Sequence, residues 1–241
     1  MRILKIALGH PDTVLTLTRE MNKELDVTLV FVVSGKQYTE GILDLDLTTL
    51  QYGLNTNIQH NLDILPYHIR KYLGEGFQLY FLRTPDLKIL KDKKLRNFRY
   101  IRNAIKKLKK DSIDVVHFNG TSGFLLYFVP MFRRYPKVWT LHDFKAHTGE
   151  KNIQAFLINR FVSKFKLHFI QHYKYLRNQL IEQYNLPAYK VHTLYSGSLD
   201  VIADFPETPI PGLSSDYILF FGRISQYKGV DTLLQAYTQL E

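Results

Sequence analysis

The sequence predicts an α/β protein built on a doubly wound parallel sheet. Short apolar runs recur along the chain, and runs of this length are typical of strands that are buried on both faces. Between several of these runs, apolar residues repeat every three or four positions, as on one face of a helix. Strands that alternate with amphipathic helices form βαβ units, which build a parallel sheet with helices on its faces.

Eight strands are predicted, in chain order over residues 3–8, 27–33, 77–82, 115–118, 138–141, 168–170, 191–194 and 217–221. The first seven belong to a predicted domain over residues 1–205. Residues 206–216 hold three of the nine prolines and no helical pattern, which indicates an exposed linker. Residues 217–241 contain the last strand and one helix, which cannot cover their own apolar faces. They are therefore expected to begin a second, truncated α/β domain.

The clearest helix is predicted over residues 95–110. Its apolar face is expected to pack on the sheet through Leu95, Phe98, Ile101, Ile105 and Leu108. The stretch 88–110 holds eleven Lys or Arg residues and one acid, Asp92. Its net charge of +10 equals the net charge of the whole chain. Such a concentration of cations suggests an anionic surface nearby, either lipid headgroups or nucleic acid. A solvated helix face is the alternative.

No nucleic acid is expected as a partner. Stacking on single strands needs exposed aromatic side chains among the cations. The basic segment offers Phe98 and Tyr100, and Phe98 belongs to the predicted apolar face. An anionic membrane surface bound through residues 88–110 is therefore the favoured partner.

Length and composition exclude several other classes. The 241 residues, 45% hydrophobic and 22% charged, are typical of a globular protein with a sizeable core. The absence of cysteine excludes disulfides and thiol catalysis. Residues 1–6 are too short and charged for a signal peptide, and the apolar stretch 124–132 is far shorter than the roughly 20 residues of a membrane helix. The expected location is cytoplasmic, with peripheral association on the inner face of the membrane.

The loop after the last predicted strand has the chemistry of a diphosphate site. It reads GRISQYKG and runs from Gly222 to Gly229. Its glycines permit close backbone approach, the helix expected near Val230 presents free N–H groups, and Arg223 and Lys228 supply two cations. A surface loop with two solvated cations is the alternative.

The segment ILFFGRISQYKGVDTLLQAY, residues 218–237, resembles the start of the second domain of family 4 glycosyltransferases, which have the two-domain GT-B architecture. Four further segments are similar to this family in the same order: DVVHF at 114–118, TLHD at 140–143, the NLP and KV pairs within 185–191, and LYSGSLD at 194–200. The resemblance covers most of residues 100–241. It implies a GT-B fold, with an acceptor-side Rossmann-like first domain and a donor-binding second domain.

The resemblance also implies an activity. This is retaining transfer of a sugar from a nucleotide diphosphate sugar to a glycan or lipid-linked acceptor, as in polysaccharide biosynthesis, with no metal and no other cofactor. Arg223 and Lys228 match the pair that holds the donor diphosphate. His142 matches the histidine that faces the transferred sugar, and a residue at the end of a parallel strand points into the crevice where α/β folds bind ligands. A histidine satisfied within a core or loop is the alternative.

Further contacts with donor or acceptor are expected from Gly9, Asn119, Asp143 and Gly222. Asp143 could orient His142 or cap the next helix. The sequence departs from the family pattern in its first loop, GHPD at residues 9–12, which has one glycine where the family usually has two. Ser196 also replaces the asparagine of the family's N-G pair.

A pair of glutamates eight positions apart, which the family carries in its second domain, is not found in this sequence. The pair is expected beyond residue 241, so the chain alone is expected to be inactive. The alternative function is a non-catalytic nucleotide- or nucleic-acid-binding α/β module with a basic surface helix.

One pair of aspartates and one pair of histidines are weak candidates for a metal site. Asp44 and Asp46 form a D-x-D pair, but they lie in an alternating leucine run that favours a strand or loop. His168 and His172 are four positions apart, but His168 lies in a predicted strand, where that spacing does not converge on an ion. No metal site is predicted.

Overall fold

The computed structural model describes residues 1–87, 94–109, 112–120, 123–142, 167–195, 197–203, 205, 212, 217–220, 224 and 228–239. The predicted parallel sheet is confirmed. Eight of the ten described strands form one sheet, in which every neighbouring pair is parallel except one pair at an edge.

The ten described strands have the following bounds. They are β1 (Arg2–Ala7), β2 (Asp26–Ser34), β3 (Gln37–Glu40), β4 (Leu43–Asp46), β5 (Gly53–Asn55), β6 (Gln78–Thr84), β7 (Val115–Asn119), β8 (Lys137–Thr140), β9 (His168–Gln171) and β10 (Val191–Thr193). Eight of them form one sheet in the order β10-β9-β8-β7-β1-β2-β6-β5, where β5 and β6 are the antiparallel pair. All seven strands predicted for the first domain are present, and each end lies within two residues of the predicted one.

Helices cover both faces of the sheet, as a doubly wound fold requires. The helices that do so are α1 (Pro11–Asn22), α2 (Ile58–Asp63), α3 (Tyr67–Leu73), α4 (Lys94–Leu108) and α5 (Lys174–Tyr184). A further helix, α6 (Val230–Tyr237), contributes no residue to either core cluster. Helices α1, α2 and α3 share one core cluster with the sheet, and α4 and α5 share the other. The central strands β1 and β2 contribute side chains to both clusters, which explains their unbroken apolar runs.

The basic helix packs on the sheet by its apolar stripe, but one predicted contact is wrong. Ile101, Ile105 and Leu108 are buried, whereas the Phe98 side chain is 41% exposed. The helix is turned so that Asn97 faces inward and its Nδ2 donates to the carbonyl of Asp86 at 2.7 Å. This bond satisfies a backbone oxygen in the connection that follows β6. The side chain of Leu95 lies outside the described residues.

Three short strands were not predicted as such. Strands β3 and β4 form an antiparallel hairpin, and β5 adds an antiparallel edge to β6. Asp44 and Asp46 lie on this hairpin: Asp44 accepts from Gln37 and Thr39, and Asp46 accepts from the backbone N–H of Thr48. These bonds give both carboxylates a structural role in a tight hairpin.

The predicted strand over 217–221 is not formed in its described part. Residues 217–220 have no strand pairing, and Tyr217, Ile218 and Leu219 are exposed. A strand is stable when neighbouring strands satisfy its backbone, and the described residues provide none for this segment. The predicted helix after it is present as α6. Within the described part of the chain, no helix is long and apolar enough to span a bilayer.

Candidate active site

The candidate active site lies at the carboxyl edge of the parallel sheet. Strand β1 is paired with β2 on one side and with β7 on the other, so the chain reverses its winding direction between β1 and β7. A crevice forms between two such strands, because the loops that follow them run toward opposite faces of the sheet. Asn119 ends β7 at this edge, and the loops that follow β1, β8 and β9 carry Gly9, His142 and His172 to it.

The loop after β1 makes a sharp left-handed turn into α1. Gly9 and His10 have φ values of 77° and 52°, and Pro11 begins the helix. The carboxylate of Glu40 closes over this loop, where its Oε1 accepts from the backbone N–H of His10 at 2.9 Å. A Cβ on Gly9 would lie 3.0 Å from the same oxygen, so this position favours glycine twice over.

His142 lies between two other imidazoles. Its ring stacks on His10 with a centroid distance of 4.4 Å, and the His172 ring lies 5.0 Å away on a tilted plane. Asn119 Nδ2 lies 3.0 Å from His142 Nε2 and donates to it. The proton of the neutral His142 ring is therefore on Nδ1.

The surroundings of His142 keep it uncharged. Burial, together with the positive charge that His10, His172 and Lys5 can carry, lowers its pKa to about 3. At neutral pH the ring therefore acts as a polar, hydrogen-bonding group and not as a cation.

His172 presents an open acceptor. Its Nδ1 donates to the carbonyl of Leu194 at 3.0 Å, so the neutral form of the ring carries its lone pair on Nε2. That Nε2 is buried and finds no hydrogen-bond partner among the described residues. Thr16 Oγ1, on α1, is buried and unpartnered in the same sense. Both side chains line a cavity of about 210 Å³ between α1 and the loop that follows β10.

A rigid layer beneath these loops holds them in place. His117 Nε2 lies 2.8 Å from Thr140 Oγ1, and Trp139 Nε1 donates to the carbonyl of Gly120 at 2.7 Å. Burial lowers the pKa of His117 to about 3 and that of Lys5 to about 7. Both side chains are thus partly or wholly deprotonated beneath the site at neutral pH.

Three of the predicted site residues, Gly9, Asn119 and His142, meet at this edge. Asp143, Gly222 and Arg223 lie outside the described residues. Lys228 lies just before α6, where Gly229 has a φ of 64° as the N-cap. His10, Glu40 and His172 were not predicted. His172 directly follows β9, so the strand-end rule applied to every strand would have found it, whereas His10 is the third residue after β1.

The sequence profile of glycosyltransferase family 4 matches residues 9–198, which is most of the chain. Comparison with curated proteins gives no significant match. The matched range contains every described strand from β2 to β10, and with them Gly9, Asn119, His142 and His172.

Several solved structures share the fold at low sequence identity. A crystal structure of UDP-N-acetylglucosamine 2-epimerase has a TM-score of 0.52 and 10% identity, and covers 88% of this chain and 53% of its own. Anabaena Alr3699/HepE in complex with UDP-glucose has a TM-score of 0.49 and 11% identity, over 82% of this chain and 44% of its own.

UDP-GlcNAc 2-epimerase from Neisseria meningitidis, bound to UDP-GlcNAc, has a TM-score of 0.45 and 12% identity, over 85% of this chain and 48% of its own. The chain thus spans about half the length of the structures it matches. The likeness to the UDP-N-acetylglucosamine 2-epimerase with the TM-score of 0.52 confirms the GT-B type of Rossmann-like α/β fold.

Proposed function

Because the chain belongs to glycosyltransferase family 4, we propose that it serves the retaining transfer of a sugar from a nucleotide diphosphate sugar to a glycan or lipid-linked acceptor. One observation carries the proposal. Neutral His142, oriented by Asn119, lies beside the unpartnered Nε2 of His172 at the switch point of the sheet. His172 and Thr16 also line the adjacent cavity, and polar groups beside a cavity suit a substrate rich in hydroxyl groups.

The two histidines supply complementary groups to a sugar. His142 Nδ1–H is a donor to a sugar oxygen, and His172 Nε2 is an acceptor for a hydroxyl. A buried acceptor without a partner costs stability, and a substrate hydroxyl removes that cost. Sugar binding therefore gains from an arrangement that the free protein leaves unsatisfied.

Sugar transfer breaks the bond between the anomeric carbon and a diphosphate oxygen, and the acceptor oxygen forms the new bond. The leaving nucleotide gains negative charge as its bond breaks. We assign Arg223 and Lys228 to hold this diphosphate, Gly222 to let it approach the backbone, and Gly9 and Asp143 to further substrate contacts. In this assignment two cations neutralise the diphosphate, and no metal or other cofactor is needed.

We assign the acceptor and donor sides to consecutive segments of the chain. Residues 1–205 form the acceptor-side domain, 206–216 the linker, and 217–241 the start of the donor-binding domain. Under this assignment the complete donor site needs more of the second domain than α6, so transfer is measured on a protein that carries both domains.

The test is a panel of nucleotide sugars with different bases and sugars, incubated with glycan and lipid-linked acceptors. We expect transfer from one donor class with retention of the anomeric configuration. NMR of the product measures that configuration. Binding of nucleotide sugars without turnover of any donor would favour the alternative of a non-catalytic nucleotide-binding module.

A second proposal concerns location. We place the protein in the cytoplasm, with α4 against an anionic membrane surface, which suits a lipid-linked acceptor. One exposed stripe of the helix carries Phe98, Arg102 and Lys106. An apolar ring flanked by cations is typical of helices that lie in the headgroup region.

Binding to phosphatidylglycerol vesicles should weaken steeply between low salt and 0.5 M salt, because exposed charges are screened within about 10 Å at 0.1 M. Equal binding to neutral vesicles would exclude the electrostatic contact. Tighter binding to duplex DNA than to vesicles would favour nucleic acid as the partner.

A further inference from the structure

A large groove lies on the outer flank of the domain, beside β6 and β5, and β6 is two strands away from β1 in the sheet. It runs between the edge strand β5 and helix α4 and has a volume of about 770 Å³. This volume falls within the range of about 300–1,000 Å³ that small-molecule sites occupy. We call it the flank groove. Its lining includes Gln51, Tyr52, Arg99, Tyr100, Asn103 and Lys107.

Two tyrosine rings form a fixed aromatic wall in the flank groove. The ring centroids of Tyr52 and Tyr100 are 6.0 Å apart, with their planes tilted by 35°. The Arg83 guanidinium lies 4.6 Å from the Tyr52 ring and donates to the carbonyls of Gly35 and Leu50, so the Tyr52 ring rests on an anchored support. Tyr52 remains 48% exposed. A rigid, exposed aromatic face binds the apolar C–H face of a sugar ring at low entropic cost.

The charge of the flank groove has one sign. Its lining contains no Asp or Glu. Arg99 and Lys107 are exposed and form no ion pair within the described part of the chain. They are eight residues apart on α4, which is about 12 Å along the helix axis. This spacing suits an extended chain that carries repeated negative charges.

Exposed amides complete the lining. Asn103 is exposed on the same side of α4 as Arg99 and Lys107, and Gln51 is exposed on the opposite wall. An amide offers both a donor and an acceptor, which matches the hydroxyl groups of a sugar. By contrast, the Asn55 amide is already bonded to the carbonyls of Gln51 and Gly53, and it shapes the wall instead.

We propose that the flank groove binds an anionic oligosaccharide, with sugar rings on the tyrosines and carboxylate or phosphate groups on Arg99 and Lys107. It is a second saccharide site, separate from the site of transfer. It rests on the proposed function in one respect, that its ligand is a distal part of the acceptor glycan. The groove side of α4 differs from the outer stripe of Phe98, Arg102 and Lys106, so glycan and membrane can be separated by mutation.

The test measures binding of a hyaluronan hexasaccharide to the 241-residue chain by calorimetry, with no donor present. Maltohexaose is the neutral control of equal length, and tripolyphosphate is the control for charge alone. The double variant R99Q/K107Q removes two charges from the groove, and R102Q/K106Q removes two charges from the outer stripe of the same helix. Tyr52→Ala removes the aromatic wall, and thermal unfolding checks that each variant is folded.

We expect R99Q/K107Q to weaken hyaluronan binding about tenfold or more, because hydrogen bonds to charged groups are lost. R102Q/K106Q should retain wild-type affinity within about threefold. Tyr52→Ala should weaken hexasaccharide binding about fivefold and leave tripolyphosphate unaffected, since stacking serves sugar rings alone.

Three results would overturn the proposal: no hyaluronan binding, equal loss in both double variants, or equal affinity for tripolyphosphate and hexasaccharide. Binding of phosphatidylglycerol vesicles that depends on Arg99 and Lys107 more than on Arg102 and Lys106 would assign the groove to the membrane instead. None of these results bears on transfer at His142, because the measurement contains no donor and no reaction.

Discussion

At the residue scale, the buried histidines beneath and within the site make stability depend on pH. His117 and His142 have pKa values lowered to about 3 from 6.5, and burial is the main cause. Between these pH values the unfolded chain binds protons that the native chain does not. The free energy of unfolding is therefore unaffected by these groups above pH 6.5 and falls as the pH drops below it.

At pH 5 this loss should reach about 2 kcal/mol for each histidine relative to pH 7. Urea unfolding at the two pH values measures it. His117→Asn should remove about half of the difference between pH 7 and pH 5, whatever its effect on stability at pH 7. A variant with the full wild-type difference would show that His117 does not titrate in this way.

Gly120 controls how closely the loops after β1 and β7 approach each other. Its φ is 120°, and a Cβ at this position would lie 2.5 Å from the carbonyl oxygen of Leu8. Gly120→Ala should lower the free energy of unfolding by about 2 kcal/mol or more, because both backbone strain and a clash result. The matched control is Gly197→Ala, where a Cβ meets nothing within 4 Å. Equal effects of the two variants would contradict this account.

Lys228 is the described member of the pair assigned to the donor diphosphate. A fixed cation stabilises the leaving nucleotide more in the transition state than in the bound donor, because charge develops as the bond breaks. Lys228→Ala should therefore lower kcat by about 10²–10³-fold and raise KM much less. Steady-state kinetics of a protein with both domains gives the two constants. A change in KM alone would assign Lys228 to uniform donor binding.

At the scale of the element, two substitutions on α4 test which face of the helix packs on the sheet. Ile105 is 3% exposed in the core, and Phe98 is 41% exposed on the same helix. Ile105→Ala should cost about 2–5 kcal/mol of unfolding free energy, as for other large-to-small core changes. Phe98→Ala should cost less than about 1 kcal/mol. Chemical denaturation of the two variants measures both losses of unfolding free energy. A larger loss for Phe98→Ala than for Ile105→Ala would contradict this orientation of the helix.

The same helix shows what the sequence could and could not predict about elements. Buried strands such as β2 were predictable because both of their faces are apolar, and α4 was predictable from its spacing. Phe98 and Asn97 exchanged roles because the carbonyl of Asp86 needed a donor, which hydrophobic spacing does not encode. The short strands β3, β4 and β5 have one apolar face or none, and their pairing depends on contacts made in three dimensions.

At the scale of the whole molecule, the parallel topology explains why part of the site was predictable. Residues at the carboxyl ends of β1, β7 and β8 must meet at one edge, and Gly9, Asn119 and His142 do so. The stacking of His10 and His172 on His142 depends on the left-handed turn at His10 and on the loop after β9, which motifs do not specify. The roles assigned to Gly9, Asn119 and His142 stay predictions, as do those of Asp143, Gly222, Arg223 and Lys228.

The central claim is that the neutral histidine at this edge faces the transferred sugar. The most direct test is the kcat/KM for sugar transfer by His142→Ala, compared with His192→Ala. His192 is an exposed histidine on β10, whose ring stacks on His168 at a centroid distance of 5.3 Å. We expect kcat/KM to fall about 10²-fold for His142→Ala, as for other lost groups that stabilise a transition state, and to stay within about twofold for His192→Ala. Wild-type kcat/KM in His142→Ala would contradict the account.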